Sequence, residues 1–127
     1  MNKIFFLFVL VAALMLSSVS WSQECIVGNV KGIDPLDKEE ITVSTVAIGF
    51  TEGTIKQSAG NAAVAVVTVE TDQIRYWVDG STPTSSSGHL AEAGTSFTIC
   101  GLNSIDNFSA IRVTLDAAIK ASFFKAR

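Results

Sequence analysis

Residues 62–79 read Ala62-Ala63-Val64-Ala65-Val66-Val67-Thr68-Val69-Glu70-Thr71-Asp72-Gln73-Ile74-Arg75-Tyr76-Trp77-Val78-Asp79. Two runs rich in β-branched and aromatic side chains, interrupted by Glu-Thr-Asp-Gln, have the composition of strands on either side of a reversal. We read a hairpin of strands 62–70 and 73–79 around a two-residue turn at Thr71-Asp72. That register sets Glu70 opposite Gln73, Val69 opposite Ile74, Val67 opposite Tyr76 and Ala65 opposite Val78. Alternate side chains leave a strand on opposite faces, so Val67, Val69, Ile74, Tyr76 and Val78 form one apolar face. The other carries Val64, Val66 and Trp77, then Thr68, Arg75 and Glu70 toward the turn. Thr-Asp is not the Asn-Gly pair that tight hairpin turns favour, so a one-residue bulge is the alternative register.

The same pattern recurs outward from this stretch. Short runs rich in Val, Ile, Thr and Phe fall at 26–31, 41–50, 54–58, 96–100, 110–115 and 119–124. Gly, Asn, Asp and Ser cut them at intervals of about ten residues, the spacing of an antiparallel all-β domain. No stretch after residue 22 sustains helical periodicity. The expected fold is all-β: a single small antiparallel β-sandwich, jelly-roll or immunoglobulin-like, of about seven or eight short strands. Residues 33–40 look like an acidic connector. Residues 104–108 fit one helical turn capped by Ser104 or Asp106. Residues 80–88, Gly-Ser-Thr-Pro-Thr-Ser-Ser-Ser-Gly, read as a polar loop around Pro83 with no apolar residue to draw it inward. Gly94 and Gly101 bracket the 96–100 strand as turn residues. The chain shows no internal repeat and no second domain.

At the N-terminus, Met1-Asn2-Lys3 precedes thirteen apolar residues from Ile4 to Leu16, and these give way to Ser17-Ser18-Val19-Ser20-Trp21-Ser22. A basic start, an apolar block and a small-residue exit are the parts of a secretory signal peptide. The block is shorter than the ~17–25 residues of a permanent membrane span, and no cluster of Lys or Arg follows it. Cleavage after Ser22 is expected, leaving a signal peptide at 1–22 and a secreted domain at 23–127; an uncleaved anchor is the alternative. Gln23-Glu24 before Cys25 does not suit a lipid anchor. Loss of Lys3 leaves eight basic and twelve acidic residues. So acidic a domain is a poor ligand for nucleic acid or anionic membrane surfaces. Cys25 and Cys100, the only cysteines, form a disulfide by default in an oxidising compartment. Closing that loop stabilises the fold by about 3–4 kcal/mol in the chain-entropy model. Two buried free thiols are the alternative, and no CxxC spacing supports a redox or metal pair.

The segment from Glu70 to Gly94 contains an Arg-bearing strand ending in Asp79-Gly80, a Thr82-Pro83-Thr84 turn, Gly88-His89, and then Ala93-Gly94. With Asn107-Phe108-Ser109-Ala110-Ile111-Arg112-Val113-Thr114 and the final aromatic strand at Phe123-Phe124, this layout resembles small tailed-phage and prophage virion-associated β-domains. The resemblance covers residues 55–127. It implies a compact β-sandwich that decorates a capsid or forms part of a fibre, and it carries no established binding residues. The secretory leader departs from that family, whose members assemble in the cytoplasm.

Arg75, Tyr76 and Trp77 are the candidate binding residues. Alternation sends Tyr76 to one face and Arg75 with Trp77 to the other. If the second face is open, Trp77 is an aromatic platform beside a guanidinium, suited to a sugar ring or a protein contact. If both faces are covered, Trp77 belongs to a core and Arg75 pairs with Glu70 or another carboxylate. Arg112, between Ile111 and Val113, admits the same two readings. His89 is the only histidine. A Ser-His-Asp set drawn from Ser85, Ser86 or Ser87 with Asp79 lacks any nucleophile elbow or oxyanion hole, so no catalytic residue is expected. Asp34, Asp37, Glu39 and Glu40 lack the spacing of a calcium loop, and no metal or cofactor is expected. The run 118–124, ending Phe123-Phe124, promotes pairing with another subunit if it lies at a sheet edge.

These readings converge on a secreted, non-enzymatic structural or interaction module, located in a periplasm, at a cell surface or outside the cell. It would be a subunit of an extracellular or surface assembly, with a protein partner or a second copy as its ligand and no stable membrane insertion once the signal is gone. The alternatives are a carbohydrate- or small-ligand-binding sandwich with a glycan partner, and a virion-associated decoration or fibre protein.

Overall fold

The structure, a computed structural model, describes Cys25 and residues 32–127. The signal segment, its cleavage after Ser22 and the expected strand at 26–31 lie outside the described residues. The described chain forms β1 (Ile33–Val43), α1 (Glu52–Ile55), β2 (Lys56–Gln57), β3 (Gly60–Val69), β4 (Ile74–Trp77) and β5 (His89–Ala91). It continues with β6 (Ser96–Cys100), α2 (Leu102–Asp106), β7 (Ser109–Arg112) and β8 (Ala117–Ala126). The larger sheet runs β1-β8-β3, with β6 and the two residues of β2 also paired to β3; the smaller runs β5-β4-β7. All pairings are antiparallel. Ile48 adds a bridge to Ala110 that extends the smaller sheet beyond β7.

In chain order the path alternates between sheets: β1, then residue 48 opposite, β3 back in the larger sheet, β4 and β5 in the smaller, β6, β7 and β8 in turn. That winding is a jelly roll, the first of the two sandwich types expected. Between the sheets lie Ile41, Val43, Ala65, Val67, Val69, Ile99, Ile119, Ala121 and Phe123 from one side and Ile74, Ala91 and Ala110 from the other. Ile55, Ile105 and Phe108 join the same core from the connections.

The expected hairpin does not form. β3 is flanked by β8 and β6, and β4 by β5 and β7, so the chain crosses from one sheet to the other between Val69 and Ile74. The alternation is the same in both arrangements. Val67 and Val69 face Ile74 and Tyr76 across the sandwich instead of lying beside them. The connection is tied to both sheets: the Glu70 N–H donates to the Ala118 carbonyl (2.8 Å), the Ala118 N–H donates to the Thr71 hydroxyl (2.9 Å), and the Gln73 carbonyl accepts from the Val113 N–H (3.3 Å).

The acidic connector is likewise corrected. Residues 33–43 form an edge strand paired with β8 from Ile33↔Ala126 to Val43↔Ala117, with an irregularity between Pro35 and Asp37. An edge strand tolerates Pro and charge, and each carboxylate has a structural partner. Asp34 accepts from Arg127 at 2.7 Å, which holds its carboxyl below the usual range. Asp37 accepts from the Gln57 amide at 2.6 Å, Glu39 from the Thr51 N–H at 3.0 Å and the Thr54 hydroxyl at 3.2 Å, and Glu40 lies 3.9 Å from Lys120.

Other boundaries differ from expectation: the strands foreseen at 110–115 and 119–124 are Ser109–Arg112 and Ala117–Ala126, and β5 was not foreseen. The strand foreseen at 41–50 ends at Val43, where the chain changes sheets, and 54–58 divides into α1 and β2. The helical turn begins earlier, at Leu102, behind Gly101 rather than behind a Ser104 or Asp106 cap; Asp106 instead pairs with Lys56 at 2.9 Å. β8 is an interior strand between β1 and β3, with Phe123 buried, so it offers no edge to another subunit. Gly49 packs against β7's entry: a Cβ there would stand 2.6 Å from the Phe108 carbonyl oxygen, which only glycine avoids.

Cys25 and Cys100 are joined in a disulfide spanning 75 residues, with Cα atoms 5.6 Å apart. The bridge anchors Cys25 at the C-terminal end of β6. Among the described residues no helix is long and apolar enough to cross a membrane.

Candidate functional site

β4 is the central strand of the smaller sheet and carries Arg75, Tyr76 and Trp77. Its alternation is dictated by Ile74, which is buried, and it turns Tyr76 toward the core side. There the phenol ring stacks on Phe97 (centroids 4.4 Å apart, planes at 4°) and lies 5.8 Å from Phe108. Phe108 in turn stacks on Phe50 at 4.4 Å. These rings close the end of the sandwich around the half-buried Tyr76, and burial pushes its hydroxyl pKa up.

Arg75 is on the opposite face, in register with Leu90 of β5 and Ile111 of β7. The loop 80–88 folds back against this face. Pro83 is fully buried, contrary to the expectation of a loop with nothing to draw it inward. Thr84 and Ser85 line one open groove with Thr45, Ile111, Arg112, Val113 and Thr114. The Arg75 guanidinium donates from Nη1 to the Gly88 carbonyl at 2.9 Å, and its buried Nε has no hydrogen-bond partner among the described residues. Arg75 therefore holds the loop by a backbone oxygen, not a carboxylate. Gly88 is confined to glycine, with φ +127° and a Cβ position 3.1 Å from the Tyr76 carbonyl oxygen.

Trp77 is part-buried. Its ring meets His89 edge-on at 5.0 Å, and His89 also lies 5.4 Å from Tyr76. The three rings make one corner at the end of β4 and β5. Asp79 is near it; the Ser81 N–H donates to its carboxylate at 3.0 Å and is the main cause holding its pKa down, with the charge of His89 contributing least. Among the described residues no side-chain hydrogen bond links His89 to Asp79 or to Ser85, Ser86 or Ser87, so the Ser-His-Asp set is not assembled. No group of three or more potential metal ligands occurs among them either.

The groove under the loop has a volume of about 380 Å³ and a lining of hydroxyls beside apolar strand residues. Arg112 lies at its margin in an ion pair with Asp116, whose carboxyl that guanidinium holds low. Thr45 reaches it from a connection that carries no motif in the sequence, and Thr114 from just beyond β7, which ends at Arg112. Phe97 and Phe108 are equally unmarked as partners of Tyr76, although Phe97 alternates with Ile99 as a core residue should.

Comparison with protein-family models, with curated proteins and with solved structures finds no match to this chain.

Proposed function

We propose that the chain is a secreted, non-enzymatic structural and interaction module, a subunit of an extracellular or surface assembly. The observation that carries this reading is the Cys25–Cys100 bridge on a jelly roll in which Lys56–Asp106, Arg112–Asp116 and Arg127–Asp34 pairs hold strands and connections together. A disulfide suits an oxidising compartment, and a scaffold so tethered presents its edges and loops without rearranging. Expression with residues 1–22 in place tests it. The protein should be recovered outside the cytoplasm, begin at Gln23, contain no free thiol and gain mass with concentration or bind a surface partner. Recovery from the cytoplasm as a reduced chain would overturn the reading.

A carbohydrate-binding module is the second reading, favoured by the Tyr76–Trp77–His89 corner beside Asp79. An aromatic ring with an adjacent carboxylate and imidazole is the chemistry that holds a sugar ring. Retention on a glycan array, lost in Trp77→Ala with the fold intact, supports it; no retention of the wild type disposes of it. The virion-associated alternative rests on the resemblance over residues 55–127. Jelly rolls serve capsid and lectin domains alike, so the topology favours neither.

A further inference from the structure

The two long borders of the larger sheet are unlike. At one, β1 carries Asp34, Pro35, Asp37, Lys38, Glu39 and Glu40, the charges and proline with which natural edge strands discourage pairing. At the other, β6 has no charge, no proline and no register shift against β3. The uncharged stretch extends from Ala93 to Ile105.

The ladder with β3 decides where the backbone groups of β6 point. The Gly101 N–H donates to the Ala63 carbonyl at 2.7 Å, and the Val69 N–H donates to the Thr95 carbonyl at 2.9 Å. With the register Ala65↔Ile99 and Val67↔Phe97 between them, residues 95, 97, 99 and 101 use their polar groups on β3. In an antiparallel ladder the alternate residues then direct N–H and C=O away from that partner. These are Ser96, Thr98 and Cys100, all exposed, while Ile99 is buried and Phe97 packs on the core. Among the described residues no strand takes up this edge.

The geometry points to a second copy of this chain as the occupant, paired antiparallel through β6 on a two-fold axis at Thr98. This rests on the reading of the protein as an assembly subunit and names the surface it uses. The outward residues are symmetric about Thr98: Thr98 meets its own counterpart, and Ser96 meets Cys100 in both directions. Each of these is a pair that exchanges two hydrogen bonds. No charged side chain meets a like charge across the seam, whereas β1 against itself would juxtapose acidic residues. Thr–Thr is among the favourable cross-strand pairs. The axis stands perpendicular to the sheet, so β1-β8-β3-β6 continues into β6-β3-β8-β1 of the second copy, and the interface is isologous and closed.

Sedimentation of the disulfide-bonded protein across a wide concentration range, with Thr98→Lys alongside, tests this. Thr98 is exposed and its N–H points away from β3, so the variant keeps the fold, which thermal unfolding checks. The expected results are a dimer in the wild type and a dissociation constant raised at least about tenfold in Thr98→Lys, where two lysines face each other. Hydrogen exchange of the wild type gives an independent readout. The amides of Ser96, Thr98 and Cys100 should gain protection as concentration rises, and those of β1 should not. A dimer unaffected by Thr98→Lys overturns the β6 interface and leaves the assembly reading standing. β6 amides protected equally at all concentrations also overturn it, since the edge is then filled within one chain or by another bound protein. A chain that stays single with freely exchanging β6 amides overturns the self-association part of the reading as well.

Discussion

Tyr76 is set apart from its two neighbours in the chain by the packing of its ring. It stands between Arg75 and Trp77, yet its ring is stacked on Phe97 and shielded by Phe108. Burial disfavours the phenolate, so the folded pKa lies above the ordinary 10.0. The unfolded chain ionises first, so this contribution to stability is whole below pH 10.0 and is lost as pH rises through the folded value. Tyr76 is the only tyrosine, so ultraviolet titration reads it directly. The midpoint of the folded protein should fall above 10.0, and that of the denatured protein at the ordinary value. Equal midpoints would mean that the ring is not held in the aromatic cluster. Its inward direction was legible, because strict alternation with Ile74 sends Tyr76 to one face and Arg75 with Trp77 to the other. The Gly88 partner of Arg75 was not, because a backbone carbonyl leaves no mark in composition.

The strands themselves are well marked: β3, β4 and β6 coincide closely with runs of Val, Ile, Thr and aromatic residues. Their partners are not. Period-two alternation fixes which face of a strand is apolar, but Val67, Val69 and Ile74 satisfy it whether their strands lie side by side or face each other. The anchoring of Thr71 to Ala118, which lifts the chain into the other sheet, involves a contact 47 residues distant. β1 was obscured for a different reason. Its carboxylates have the composition of a linker, and their strand character appears only when Arg127, Gln57 and Thr51 are seen to receive them. β8, rich in Ala and Phe, gave no sign that it lies between two neighbours. Phe108 binds these elements together, stacked on Phe50 and close to Tyr76 and Phe97. Phe108→Ala should therefore cost about 3–5 kcal/mol, measured by denaturant unfolding. A loss below about 1 kcal/mol would show that the sheets do not depend on that ring.

For the whole molecule, the bridge from Cys25 to Cys100 is the covalent long-range constraint, and one that the sequence did indicate, through the pairing of an even cysteine count with an expected secretory leader. The loop it closes, 75 residues in separation, corresponds to about 4 kcal/mol in the chain-entropy model. Reduction should lower the unfolding midpoint, and Cys25→Ala should lower it to the same degree. An unfolding midpoint indifferent to reductant would remove the tether from the account. The overall architecture was legible to the level of an antiparallel sandwich. The asymmetry of its borders was not, because it depends on which strands are left outermost: an acidic, proline-bearing β1 on one side and an uncharged β6 on the other. That asymmetry gives the jelly roll one border suited to another strand, and the proposed role in assembly rests on it.

The most direct test of that role is the mass of the oxidised wild-type protein in solution, measured by sedimentation equilibrium as its concentration rises. The account predicts a shift from one chain to two through the β6 edge. A mass that remains that of one chain at every concentration would contradict it.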